Sequence, residues 1–374
     1  MKLTSCLALC AGLGLAACSG RTVQLDHDAA SAAGSAGAAS KDDDGKPSLL
    51  FKELGVALTA WELHVDDTRV YWQTQDGTLQ SCRKDDCQPS VVTYTKSSEY
   101  SRTYLNGILE GTNVFSSFAI SEGNVAWLAN PPRGTIYVCP SAGCGEQPTR
   151  LVRDPAAGGA GQYQGLTADD GKVYWLSSQD LYRCAVQDCS AGPERLAFAQ
   201  SAMPTFFGAD AFWIERTDLG SRIRVTPKEG SADAITFVER TRPVGVYGVE
   251  AIGEIAVSSQ YVYWLDDTSR LLRCPRAGCE GEPAVLDAGA GDKAHLRVDE
   301  LGVYWLATAA AVPTPTDGMH FCPHTGCPSP TALSGFDELG TYALDDDFIY
   351  FTAHVPSGLR VLGGDIQRRR KPSL

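Results

Sequence analysis

Cysteine is the residue type best placed to do chemistry in this 374-residue chain, and spacing sorts its thirteen copies. Ten fall into five C-x4-C modules: Cys82/Cys87, Cys139/Cys144, Cys184/Cys189, Cys274/Cys279 and Cys322/Cys327. Cys6, Cys10 and Cys18 stand apart, in the N-terminal stretch MKLTSCLALCAGLGLAACSG. One lysine, an apolar run and small residues before a cysteine make a secretory signal. The run is too short for a spanning helix, which takes about 20 apolar residues. An exported chain meets oxidising surroundings, where paired cysteines read as disulfides. Zinc is the competing chemistry, because structural zinc sites also use closely spaced pairs, with four ligands converging on one ion. Here the pairs lie tens of residues apart, and CPHTGC alone carries a histidine. A C-x-x-C-H haem site is absent, as is the third nearby cysteine of a plant-type iron–sulfur pattern. Five local disulfides are therefore expected and no metal site. Each disulfide closes a six-residue loop, a contribution of roughly 2 kcal/mol on a chain-entropy account.

Leu15-Ala16-Ala17-Cys18 resembles the bacterial lipoprotein box. The resemblance implies cleavage before Cys18, lipidation of its thiol and anchorage in the membrane. With Ser19 following, rather than Asp, it implies the outer membrane, on either its periplasmic or its outer face. The plainer alternative is an ordinary signal with a chance cysteine. Loss of residues 1–17 also removes Cys6 and Cys10, leaving one lipidated cysteine and an even ten. Residues 18–46 are small, polar and nearly free of large apolar groups, the composition of a flexible tether.

The five modules decorate a repeat, and a repeat outranks every other signal. An apolar–x–acid phrase, a turn and then Val-Tyr-Trp recur as HVDDTRVYWQT, AISEGNVAWLA, TADDGKVYWLS, AVSSQYVYWLD and RVDELGVYWLA, and more loosely as FGADAFWIE and ALDDDFIYFTA. The anchors are Trp72, Trp127, Trp175, Trp213, Trp264, Trp305 and Phe351, about 46 residues apart on average, the period of propeller blades. Six of the seven tryptophans occupy this slot, and Trp61 lies outside it. Within a unit, alternating apolar residues bounded by Asp, Gly and Ser clusters read as four short antiparallel strands. C-x4-C then falls at the last hairpin, where its two cysteines are expected to face each other across the ladder. The fourth unit has TPKEG there instead, a hairpin left to its turn residues. The last unit supplies three strands up to GLRVLGG, and its fourth is PSLLFKEL (47–54) from the other end of the chain. The expectation is an all-β, seven-bladed propeller over 47–365, closed by an N-terminal strand. A solvated basic tail follows at 366–374.

The units resemble YWTD-type and TolB-like propeller repeats, with YWLD at 263–266 the nearest copy. LYRC-x4-C followed by Pro-x-x-Leu is similar to the Cys-stapled propeller lipoproteins of myxobacterial cell surfaces. The resemblance covers about 47–365 and implies fold and location, with no activity attached. YWTD propellers usually have six blades, so seven marks a looser relative.

Catalytic motifs are scarce: there is no G-x-S-x-G elbow, no H-E-x-x-H and no phosphate loop after a strand. The net charge of −13 becomes −14 when Lys2 leaves with the signal, and an acidic surface disfavours nucleic acid as a partner. One constellation remains. Aligned on the anchors, Glu62, Ser117, Gly165, Glu254, His295 and Thr341 share a slot on the innermost strands. His64 and Arg297 follow two positions later, and Trp61 precedes Glu62. Carboxylates and imidazoles around a channel suit ligand binding, a cation such as calcium, or acid–base work. The bland alternative is a channel that is simply polar because it holds water. His320 and His324, beside a staple, are expected to face solvent, and the Asp-rich turns to be turn chemistry. Two function classes stand open. One is a monomeric, non-enzymatic surface scaffold, lipid-anchored and binding a protein or glycan. The other is a hydrolase or lyase of the lactonase-like propeller type with a divalent metal in its channel.

Overall fold

The structure, a computed structural model, describes residues 47–372. Within that span it omits 52–59, 75–77, 96–116, 130–134, 146, 154–162, 178–179, 197–202, 219, 230–232, 242–251, 290, 309–317, 334–338 and 358–359. Residues 1–46, with the expected lipidation at Cys18 and the tether, lie outside the described residues.

The described strands form seven four-stranded antiparallel sheets, a seven-bladed β-propeller. Blade 1 holds β2 (Ala60–Val65), β3 (Arg69–Thr74), β4 (Leu79–Arg83) and β5 (Val92–Thr95). Blade 2 holds β6 (Phe118–Ser121), β7 (Asn124–Ala129), β8 (Thr135–Pro140) and β9 (Thr149–Arg153). Blade 3 holds β10 (Tyr163–Asp169), β11 (Lys172–Ser177), β12 (Asp180–Ala185) and β13 (Glu194–Leu196). Blade 4 holds β14 (Thr205–Phe207), β15 (Asp210–Thr217), β16 (Gly220–Pro227) and β17 (Ile235–Thr241). Blade 5 holds β18 (Ile252–Val257), β19 (Tyr261–Asp266), β20 (Leu271–Pro275) and β21 (Ala284–Asp287). Blade 6 holds β22 (Asp292–Val298), β23 (Gly302–Thr308), β24 (Gly318–Pro323) and β25 (Thr331–Leu333). Blade 7 joins β26 (Leu339–Leu344), β27 (Phe348–Ser357) and β28 (Arg360–Arg370) to β1 (Ser48–Phe51) from the far end of the chain.

The Val-Tyr-Trp phrase builds the second strand of each blade, and both of its faces are buried. Side chains alternate along a strand, so Tyr and Trp point to opposite neighbours. Trp72, Trp127, Trp175, Trp264, Trp305 and Phe351 pack against the preceding blade. Tyr71, Tyr174, Tyr263, Tyr304 and Tyr350 pack against the following one. The core is therefore divided among the seams between blades. The last seam joins Leu63 and Trp72 of blade 1 to Ala343, Tyr350 and Ile366 of blade 7, with Leu50 and Phe51 of β1 against them.

All five local disulfides are present: Cys82–Cys87, Cys139–Cys144, Cys184–Cys189, Cys274–Cys279 and Cys322–Cys327, with Cα–Cα separations from 4.7 to 5.6 Å. Their geometry corrects the expectation that the two cysteines of each pair face each other across the ladder. The first cysteine lies near the end of the third strand, opposite the Val of Val-Tyr-Trp (Val70–Cys82, Val125–Cys139, Val173–Cys184, Val262–Cys274, Val303–Cys322). The second cysteine is not on a strand. Cys87, Cys144, Cys189, Cys279 and Cys327 all lie in the loop before the fourth strand, so each disulfide folds that loop back rather than bridging the ladder. The physical reason is the fourth strand itself, which begins at least four residues after the second cysteine, as at Val92, Thr149, Glu194, Ala284 and Thr331. The bonds also reach past their own blade. Cys87, Cys144, Cys189, Cys279 and Cys327 each join the seam with the preceding blade, packed beside the anchors Trp72, Trp127, Trp175, Trp264 and Trp305 respectively.

Two further expectations are corrected. The unstapled hairpin of blade 4 does not rest on turn residues alone. Lys228 Nζ lies 2.6 Å from Asp169 Oδ2, Glu229 pairs with Lys172 and Arg183 at 3.1 Å each, and Arg183 donates to the Lys228 carbonyl at 2.9 Å. Asp169, Lys172 and Arg183 belong to blade 3. The domain also runs beyond residue 365. Residues 366–370 complete β28, where Arg368 sits between Tyr350 and Ser48, and Lys371 is buried against Asp299. The basic run is strand because β27 and β1 pair with it on both edges, while Arg368 donates to the Lys84 carbonyl of blade 1 and Lys371 reaches Asp299 of blade 6.

Candidate functional site

The innermost strands of neighbouring blades contact one another in the pairs β2–β26, β6–β10, β14–β18, β18–β22 and β22–β26. In β2, β10, β18, β22 and β26 the register with the second strand slips once. Each slip falls within a residue or two of the slot picked out by alignment: Glu62, Gly165, Glu254, His295 and Thr341. A bulge leaves one residue unpaired and re-aims side chains, which is how these positions escape the strict in–out alternation. Two of them carry the left-handed backbone that a bulge favours: Gly165 at φ +67° and His295 at φ +56°. A side chain at such φ is strained, and glycine avoids the cost.

The structure gathers the predicted residues into two groups and separates the others. On blades 5 and 6, Arg297 Nη1 lies 3.7 Å from Glu254 Oε1, with side-chain exposures of 46% and 34%. Arg297 Nη1 also donates to the Leu296 carbonyl at 3.0 Å. His295 sits beside them, and its carbonyl accepts the Tyr342 hydroxyl of blade 7 at 2.5 Å. Burial lowers the His295 pKa, as does the nearby Arg297, while Glu254 opposes them in part. The imidazole is therefore neutral at pH 7. On blades 1 and 2, His64 Nε2 meets Glu62 Oε1 at 2.9 Å, and the His64 ring stands edge-on to Phe118 at 4.7 Å.

The remaining slot residues are structural. Ser117 Oγ donates to the Leu166 carbonyl at 3.1 Å and accepts from Leu166 N–H at 3.0 Å, tying blade 2 to blade 3. Thr341 is buried, and its N–H donates to Thr352 Oγ1. Gly165 faces Met203, whose Cγ would stand 2.5 Å from a Cβ placed there. Trp61 lies on β2, but its side chain falls outside the described residues. Sequence reasoning missed Tyr342 and Met203, because the first belongs to a loosely matching unit and the second to the unit lacking a staple.

The two staple-side histidines do not face open solvent. His324 Nε2 donates to the Asp299 carbonyl at 2.6 Å, so its Nδ1 accepts from Tyr263 Oη at 2.6 Å, a link between blades 5 and 6. His320 stacks on Trp305 at 5.7 Å. The Asp-rich turns do perform turn chemistry. Asp66 Oδ1 accepts the N–H groups of Thr68 and Arg69, and Asp345 Oδ1 those of Asp347 and Phe348. Among the described residues no three His, Cys, Asp or Glu side chains come together as metal ligands. Among the described residues, Glu254 is paired with Arg297 and Glu62 with His64.

No protein-family model matches this chain, and no curated protein matches it. Solved structures do, at the level of fold. YCF48 bound to D1 peptide aligns with a TM-score of 0.57 at 12% identity, over 89% of this chain and 97% of that one. The β-propeller domain of the Trilobed protease from Pyrococcus furiosus aligns with a TM-score of 0.54 at 7% identity, over 85% and 98%. PorZ of Porphyromonas gingivalis, a surface component of the type-IX secretion system, aligns with a TM-score of 0.51 at 12% identity, over 88% of this chain and 40% of that one.

Proposed function

We propose that this protein is a lipid-anchored scaffold of the bacterial envelope, non-enzymatic, whose channel mouth binds an extended segment of a partner protein. The observation that carries the proposal is the Glu254–Arg297 pair with His295 on bulged inner strands, half-exposed at the channel. Glu254 lies in the first half of β18 and His295 at the middle of β22, with Arg297 toward the exit end of β22. The similar fold of YCF48 in complex with a D1 peptide supports a peptide-binding role, and the surface setting of PorZ supports an envelope address. The lipoprotein box at Leu15–Cys18 and the likeness to stapled envelope propellers support anchorage through Cys18, in the outer membrane. The metal-dependent hydrolase alternative lacks a gathered ligand set among the described residues.

Selection of a peptide library on the mature protein tests the binding role. Enriched peptides should lose at least tenfold in affinity with Arg297→Ala and keep it with Arg222→Ala, which alters blade 4 instead. Enrichment from a glycan array and none from peptides would replace the proposed partner. For the anchor, Cys18→Ser should move the protein to the soluble fraction, and unchanged membrane retention would refute lipidation.

A further inference from the structure

Resting on the channel-mouth proposal, we infer the chemistry of the ligand: an uncharged primary carboxamide, the side chain of a peptide Asn or Gln, held in a fork between Glu254 and Arg297. The exterior of the chain is strongly acidic, at −13 overall, yet each channel carboxylate has a donor beside it: Arg297 for Glu254 and His64 for Glu62. With His295 neutral, the Glu254–His295–Arg297 group has no net charge. Coulomb attraction therefore gives neither a cation nor an anion an advantage there. A carboxylate approaching Arg297 meets Glu254, and an ammonium approaching Glu254 meets Arg297. A group with donor and acceptor side by side meets neither penalty.

The separation fits such a group. At 3.7 Å the pair is beyond hydrogen-bond length, so neither partner is locked to the other. Among the described residues Glu254 has Arg297 as its partner, and Arg297 has Glu254 and the Leu296 carbonyl. A guanidinium carries five N–H donors and a carboxylate about four lone-pair sites, so both retain capacity after these contacts. A primary carboxamide presents its C=O and one N–H side by side, so its C=O accepts from Arg297 while its N–H donates to Glu254, both charge-assisted and stronger than neutral hydrogen bonds. His295 adds one donor and one acceptor beside the fork, and no described residue hydrogen-bonds its ring nitrogens. Its strained φ of +56° is held by the Tyr342 hydroxyl on its carbonyl, which fixes the ring on the same strand as Arg297.

The test uses the full chain and a fluorescent blocked pentapeptide, Gly-Asn-Gly-Gln-Gly, acetylated and amidated, against the same peptide with Asp and Glu replacing Asn and Gln. Anisotropy should show the neutral peptide bound at least tenfold more tightly. Its Kd should change less than twofold between 50 and 500 mM NaCl. Arg297→Ala and Glu254→Ala should each weaken it at least tenfold, and Glu254→Gln, which keeps an acceptor, only two- to threefold. Thermal melts check that these half-exposed variants stay folded. Preference for the acidic peptide, strong salt dependence, or indifference to both alanine variants would overturn the amide fork while leaving peptide binding intact. Failure of both pentapeptides to bind, when library-selected peptides do bind and depend on Arg297, overturns the fork alone. Failure of the library as well overturns the channel-mouth proposal.

Discussion

At the scale of single residues, the molecule spends stability at one position and stores it at others. His295 occupies a bulge slot that blade 3 fills with Gly165 at φ +67°. His295→Gly should therefore keep the bulge and hold or raise Tm, whereas His295→Ala keeps the strain, loses the ring contacts and should lower it. The pH dependence has a fixed sign. Burial depresses the folded pKa of His295 below its ordinary 6.5, so the unfolded chain takes up the proton first. Stability is lost as pH falls through about 6.5 toward the folded value, and the gap in Tm between His295→Gly and wild type should widen from pH 7.5 to 5.5. A gap independent of pH would show that the ring is not desolvated. The anchors act oppositely. Trp175 is fully buried at the blade 2–blade 3 seam, and Trp175→Ala should cost about 3–5 kcal/mol, read from denaturant melts.

At the scale of elements, the hairpin between third and fourth strands is fastened in two chemically distinct ways. Five blades use a disulfide, while blade 4 uses Lys228 and Glu229 against Asp169, Lys172 and Arg183. Burial alone would lower the Lys228 pKa, but Asp169 and Asp170 outweigh it, so Lys228 stays charged. Salt screens ion pairs, with a Debye length of about 3 Å at 1 M, and leaves covalent bonds alone. In native-state hydrogen exchange, 1 M NaCl should speed exchange in β16 and β17 more than in β12 and β20, and reductant should do the reverse. A uniform response to either agent would refute separate fastening. The strands and the cysteine pairing were legible in the sequence, because Val-Tyr-Trp and C-x4-C are local patterns set by period two and by turn length. The loop position of Cys87, Cys144, Cys189, Cys279 and Cys327 was not, since spacing fixes a partner and leaves open where the fourth strand starts. The ionic clasp was hidden too, since its five residues span 169–229 and meet only after two blades dock. Half of the channel group was legible: Glu254, His295 and Arg297 follow the repeat, whereas the Tyr342 contact and the φ of His295 belong to tertiary structure. The basic run 368–371 misled, because charge density suggests a tail and only pairing with Tyr350 and Ser48 shows a strand.

At the scale of the whole molecule, the two faces divide the labour. Strand order puts the Asp turns and the disulfide loops on one face, together with the ionic links between blades. The slot residues Glu62, Gly165, Glu254 and Thr341 lie in the first halves of their inner strands, toward the other face. The disulfides and ionic links brace the first face into a cross-linked platform. The platform depends on one seam, where the chain's two ends meet. β1 pairs with β28 in the order Ser48–Arg368, Leu49–Gln367 and Phe51–Ile366, and Phe51 lies 5.0 Å from Trp72 of blade 1. Lys84 reaches across from blade 1 to Asp345 at 2.5 Å. Burial opposes ionisation of Asp345, but Lys84, the Phe348 N–H and Tyr350 outweigh it and hold its pKa below the usual carboxylate value. A depressed carboxylate stabilises the fold above its unfolded pKa, and that contribution is lost as pH falls through the folded value. Acid should therefore weaken this seam below about pH 4, and Asp345→Asn should lower Tm at pH 7, with the gap to wild type narrowing as pH falls below about 4. Removal of 47–54 exposes the edge of β28 and the seam beneath it, so it should lower Tm far more than removal of 19–46, whose small, polar composition offers little apolar surface to bury. Parallel melts of the two deletions decide the matter: equal Tm values would mean that blade 7 closes the ring with three strands, and β1 would then be an accessory rather than the clasp.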